Sequence, residues 1–181
     1  MQFGRELLPG AVLVSLNRFE DARGGFVKTF ARGAFEAAGV DFDFREEFYS
    51  FSRKDVVRGM HFQLPPHDHV KLVYCPAGAV LDVLVDLRRG PGQGRVASVV
   101  LSGDDPAVLV IPRGVGHGFK ALRDDSLMVY KTSTEHAPSH DAGVRWDSIG
   151  FDWGIAAPVV SARDAAHPAL ADFASPFGSA P

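Results

Sequence analysis

Between Val56 and Thr132 one strand follows another, and this constrains the fold more than any other feature of the chain. Runs such as VLDVLVDL, VASVVLS, AVLVIP and SLMVYKTS are rich in β-branched and aliphatic residues. Turn signals separate them at intervals of roughly 8 to 12 residues, the rhythm of a sandwich or barrel. Gly78 divides VKLVYCPAGAVLDVLVDL into two strands, RGPGQG from Arg89 to Gly94 is a glycine- and proline-rich turn, and PRGVGH from Pro112 to His117 turns tightly into GFKAL. No helical period competes. The expected fold is mostly β, with two antiparallel sheets closed into a jelly-roll barrel and a few short helices.

Outside this block the signals are sparser. AVLVSLNRFEDARGGFVKTFA reads as a hairpin turning at Asp21 to Gly25, RGAFEAAG from Arg32 to Gly39 as one short helix, and the segment carrying Phe42, Phe44, Phe48, Tyr49 and Phe51 as a strand with an aromatic face. From about residue 134 the chain is irregular, because Pro138, Pro158, Pro168 and Pro176 rule out a long helix. DAAHPALADF is left as a helical turn. Without repeats or linkers, 181 residues are expected to form a single domain, 1–181. A net charge of -3 and scattered basic residues give no stripe for a nucleic acid polymer. No apolar run reaches the roughly 18 to 20 residues of a membrane span, and MQFGRELLPGAVLVSL lacks the pattern of a signal peptide. One cysteine, Cys75, permits no internal disulfide and fits a reducing cytoplasm.

Chemistry concentrates in RGMHFQLPPHDHVKLVYC, Arg58 to Cys75. Strand alternation puts Gly59, His61 and Gln63 on one face and Arg58 and Met60 on the other. Lys71 then lies across a short connection, so a base and a cation can face one space. A lone histidine is as readily structural, but His61 has Lys71 and Tyr130 for company. Pro112-x-Gly114-x-x-His117 is one of two marks of the cupin class of small barrels. The other is His-x-His followed by a glutamate. His67-Asp68-His69 is present, but Val70 to Tyr74 stand where the glutamate would come. A metal-binding cupin would hold iron, manganese or zinc on three histidines and that carboxylate. With the glutamate missing and Lys71 nearby, the motif indicates a cupin-type fold with no metal. Asp82 and Asp86 share a strand face, and each is open to bonding a histidine or facing water.

These segments, taken in series, resemble a known family. Arg58-Gly-Met-His61-Phe-Gln63, Lys71-Leu-Val, Asp82-Val-x-Val-Asp86-Leu-Arg88, Ile111-Pro-x-Gly-x-x-His117-Gly-Phe119, Tyr130-Lys131-Thr132 and Gly143-Val-x-Trp146-Asp147, with Asp21-x-Arg23-Gly-x-Phe26 at the start, are similar to the dTDP-4-dehydrorhamnose 3,5-epimerase family. The resemblance runs from about residue 12 to residue 165. It implies a cofactor-free, metal-free jelly roll, usually a homodimer, acting on a nucleotide-diphosphate 4-keto-6-deoxy sugar. By resemblance His61 is the base that removes a proton beside the ketone, Lys71 stabilises the enolate, Tyr130 returns a proton, and Asp164 pairs with His61. Substrate contacts fall by the same resemblance on Arg23, Phe26, Arg58, Gln63, His117 and Arg163.

The chain departs from the family pattern in its pocket. Glu135 and His136 stand in place of a second tyrosine, Glu46 and Phe48 in place of a glutamine and an asparagine, Lys28 in place of a glutamate, and His69 in place of a glutamine. Lys28 and Glu46 read as a mutual exchange of charge. Three other functions stay open: a nucleotide-sugar 3,4-ketoisomerase, a metal-dependent cupin oxygenase using His67, His69 and His117, and a sugar-binding barrel without catalysis.

Overall fold

A computed structural model describes residues 1–40 and 42–179. Asp41, Ala180 and Pro181, the last two ending the expected domain, lie outside the described residues. The chain runs through β1 (Gln2–Leu8), β2 (Ala11–Ser15), β3 (Arg18–Asp21), β4 (Gly24–Val27), α1 (Arg32–Ala37), β5 (Glu46–Ser52), β6 (Val57–Gln63), β7 (Lys71–Ala77), β8 (Ala79–Asp86), β9 (Val96–Ser102), β10 (Ala107–Ile111), β11 (Val115–Ala121), β12 (Ser126–Thr132), β13 (Asp141–Gly143) and α2 (Ala162–Ala165). Two antiparallel sheets form, as expected: six strands in the order β1-β2-β10-β7-β12-β5, and five in the order β13-β6-β11-β8-β9. β3 and β4 make a separate two-stranded ribbon.

The sheets face each other, and the alternation of β8 shows how the layers are filled. Val80 and Leu84 point inward to meet Phe119, Val73, Leu109 and Met128. Val83 and Val85 point outward and need a cover. The irregular tail supplies it, with Ile149, Trp153 and Phe177 packed on them. Behind the six-stranded sheet, Phe35 of α1 and Phe42 cover Val14, Leu72, Val108 and Val110. Each sheet is thus covered over the middle of its outer face by chain the sequence shows as poor in strands, while Tyr49 and Phe51 on edge strand β5 stay exposed.

Boundaries differ from expectation where tertiary packing decides. β1 was not read from the sequence; it pairs with β2, and β2 joins the large sheet, so the hairpin shrinks to β3 and β4. Packing draws Phe42 into the core, and β5 begins only at Glu46. β11 starts at Val115, which leaves Arg113 and Gly114 as the turn. The helical turn falls as α2 and a 3-10 turn at Leu170–Asp172, on either side of Pro168.

One local irregularity decides the site. His61 pairs with His117, but Arg58 pairs with Phe119, so β6 carries an extra residue over this span. Such a bulge reverses the alternation of side chains. Gly59 makes it possible: its φ is 139°, and a Cβ there would lie 2.6 Å from Gly118 Cα. Arg58 therefore turns to the same side as His61, not the opposite side that simple alternation predicts.

Candidate active site

A cavity of about 370 Å3 opens between the sheets. From the five-stranded sheet come Arg58, His61 and Gln63 on β6 and His117 on β11; from the six-stranded sheet come Lys71 on β7, Tyr130 and Thr132 on β12, and Glu46, Phe48 and Ser50 on β5. His69, Thr134, His136, Asp141 and Arg163 complete the rim.

Asp164 stands behind His61. Its Oδ1 is 2.8 Å from His61 Nε2, and its Oδ2 accepts the Gly59 N–H at 3.0 Å. Ser161 caps α2 by accepting the Asp164 N–H, which fixes the carboxylate from its own backbone. Burial alone would raise this carboxyl's pKa, but the bond and charge of His61, with the Gly59 and Ser161 contacts, hold it down at about 2. A carboxylate only accepts, so Nε2 carries the hydrogen and Nδ1 the lone pair of the neutral ring. That ring is 30% exposed and forms cavity wall.

Lys71 Nζ donates to the His61 carbonyl oxygen at 3.2 Å, which brings a cation beside the base. Burial lowers its pKa to about 8, partly offset by Asp141 and Asp82. Below that pH it carries a full charge in a poorly screened place. Tyr130 reaches in from the facing sheet, stacked on Phe48 at 4.7 Å and 12°, with its hydroxyl 3.3 Å from Ser50 Oγ. Burial pushes the phenol's pKa upward, so it arrives protonated. Tyr130 and His117 span the gap between sheets, their ring centres 6.0 Å apart.

A second histidine-carboxylate pair lies deeper. His117 Nε2 donates to Asp82 Oδ2 at 2.8 Å, and burial raises the Asp82 pKa against the pull of His117. Asp86 instead takes Arg88 in a two-point contact at 2.8 and 2.7 Å. Both aspartates are buried, so neither faces water.

At the rim, Arg58 is fixed by bonds to Ser52 Oγ and the Phe51 carbonyl, both 3.0 Å. Asp141 holds Arg163 at 2.8 Å and His136 at 3.2 Å. Glu46 accepts the His136 N–H at 2.5 Å, and no ion pair among the described residues joins it to Lys28. His69 Nδ1 lies 3.2 Å from both Gln63 Nε2 and Thr134 Oγ1. Burial, then the charge of Lys71, lowers its pKa to about 3 and keeps the ring neutral.

Three expected substrate contacts are not on this wall. Arg23, Phe26 and Lys28 sit on or beside the exposed β3-β4 ribbon, which pairs with neither sheet; Arg23 is spent on Asp21 at 2.5 Å. The histidines of a metal-binding cupin do not converge either: His117 is tied to Asp82, His69 to Gln63 and Thr134, and His67 packs on His140, 4.4 Å between ring centres. Among the described residues the group with metal-ligand spacing is His61, Asp164 and His167. His167, Asp141, Ser50 and Thr134 were not read from the sequence. Two carried a signal: Ser50 alternates with Glu46 and Phe48, and His167 follows Asp164 by three residues, one turn of helix.

The sequence profile of the dTDP-4-dehydrorhamnose 3,5-epimerase family matches residues 5–172. The Shigella flexneri dTDP-4-dehydrorhamnose 3,5-epimerase is 37% identical over 161 residues, 87% of this chain and 89% of its own. The crystal structure of a Legionella pneumophila dTDP-6-deoxy-D-glucose-3,5-epimerase in complex with dTDP-4-keto-L-rhamnose superposes with a TM-score of 0.90 at 29% identity, covering 96% of this chain and 94% of that one. A 3'-monoepimerase from Streptomyces bikiniensis in complex with dTDP-quinovose gives 0.84 at 32% identity, over 90% and 84%.

Proposed function

The chain belongs to the dTDP-4-dehydrorhamnose 3,5-epimerase family, and on that premise we propose that it is a cofactor-independent epimerase inverting C3, C5 or both of a nucleotide-linked 4-keto-6-deoxyhexose in deoxysugar synthesis. The observation that carries this reading is the facing of His61 and Tyr130 from opposite sheets across one cavity, with Lys71 beside the base. Inversion needs a proton removed from one face of a carbon and returned to the other.

In this reading His61 Nδ1 takes the proton from the carbon next to the C4 ketone, and the electron pair moves onto the ketone oxygen. Asp164 holds the ring and stabilises the imidazolium. Lys71 stabilises the enolate oxygen by charge and hydrogen bonding. Tyr130 delivers its hydroxyl proton to the opposite face as the enolate collapses. Arg58, Arg163 and His136 suit the pyrophosphate, since guanidinium groups pair with anionic oxygens at two points. Gln63, His69, His117 and Glu46 line the sugar and nucleotide end. The relatives' dTDP ligands make a thymidine sugar the first substrate to try.

The reading extends to a homodimer. β5 is an edge strand with Tyr49 and Phe51 exposed at 66% and 59%, and the ribbon exposes Phe19 and Phe26 at 59% and 60%. Exposed aromatic edges of this kind call for a partner. A second copy would also carry Arg23, Phe26 and Lys28 toward a cavity they do not reach within their own chain. The whole of 1–181 then acts as one domain whose tail supplies Asp164. No helix among the described residues is long and apolar enough to cross a membrane; with the free Cys75 this supports a cytoplasmic site of action.

The test is NMR of the product formed from dTDP-4-keto-6-deoxyglucose. Inverted C3 or C5 with the carbonyl still at C4 is expected. A carbonyl moved to C3 would make the chain a ketoisomerase.

A further inference from the structure

We propose that His61, Asp164 and His167 form a zinc site, and that zinc there switches off proton transfer by capturing the base. The inhibitory half rests on the reading of His61 as that base.

One atom from each residue lies within 4.8 Å of the others. His61 Nε2 is 2.8 Å and His167 Nε2 3.9 Å from Asp164 Oδ1. Two imidazoles and a carboxylate with a fourth position open form a zinc donor set, and tetrahedral bonds of about 2.0–2.2 Å put such atoms roughly 3.3 Å apart, between the two observed separations. His167 Nε2 is buried without a hydrogen-bond partner, and the proton transfer described above makes no use of it. The ring occupies space that only a glycine leaves: a Cβ on Gly143 would lie 2.5 Å from that nitrogen.

The inhibition follows from the ring's two nitrogens. Zinc takes the lone pair of Nε2, and the single proton of the neutral ring must then reside on Nδ1. That is the nitrogen which has to be bare to accept the substrate proton. Proton count and charge on the imidazole are unchanged; only the tautomer differs.

Isothermal titration of the full chain with zinc chloride, run beside turnover assays with and without EDTA, tests this. One site per chain and EDTA-reversible inhibition are expected. His167→Ala and His167→Gln should each weaken zinc by more than ~100-fold, since losing only a supporting partner of a ligand costs roughly 10–100-fold. Both should turn over normally without zinc. His140→Ala, which dismantles the His67–His140 pair, should change nothing. No zinc binding to the wild type, equal inhibition of both His167 variants, or loss of inhibition in His140→Ala would overturn the site. Calorimetry reads the site without turnover, so a chain that binds zinc as described but inverts no sugar would refute the epimerase reading alone.

Discussion

Two histidine-aspartate pairs, each 2.8 Å long, sit in the same molecule under opposite conditions. His117 and Asp82 come from neighbouring strands of one sheet and are 3% and 0% exposed. His61 and Asp164 are 103 residues apart, and the His61 ring is open to the cavity. The environments push the carboxylates apart: Asp164 is held down at about 2, whereas burial raises Asp82. A carboxylate behind an accessible ring makes a base, while the buried His117–Asp82 pair leaves its ring almost closed to solvent at the cavity wall and braces it. Hydrogen-bond length does not distinguish them; access to the ring and the burial of the acid do.

The sharpest way to break this contrast is to remove each histidine. His61→Asn should lower kcat/KM by roughly 10²- to 10⁴-fold, the contribution of a general base, with a melting temperature near that of the wild type. His117→Ala should unfold more easily by about 3 kcal/mol, because a buried charged or polar partner is left uncompensated. A stable His117→Ala, or a His61→Asn that keeps its rate, would erase the distinction. Next in size is the pH dependence through Lys71. Its cation is present below about 8, so kcat/KM should fall as pH rises through that value. Stability should move the other way: between about 8 and the ordinary 10.5 the unfolded lysine holds a proton the folded one has lost, so stability increases with pH there. Parallel rate and melting profiles separate loss of the cation from loss of the fold.

The strands and the cupin-type layering were legible because alternation and turn chemistry recur from Val56 to Thr132. So was the meeting of His61 with Lys71 around a short connection. What the sequence hid depends on distance or on exceptions to period. The bulge at Gly59 reverses Arg58, and one glycine among many gives no sign of it. Asp82 met His117 through a strand register that alternation does not specify. Asp164 could be named only by resemblance, because nothing local ties α2 to β6 across 103 residues. Arg23, Phe26 and Lys28, on or beside the β3-β4 ribbon, read as part of the pocket, yet none of them lines the cavity within one chain.

The division of labour between the two sheets is tested most directly by running the reaction in D2O with Tyr130→Phe beside wild type and His61→Asn, following both deuterium entry next to the ketone and inversion of the carbon. The account predicts that Tyr130→Phe still exchanges while inversion falls by at least ~10-fold, as removal of a general acid requires, and that His61→Asn does neither. Equal loss of exchange and inversion in Tyr130→Phe, or full exchange in His61→Asn, would contradict it.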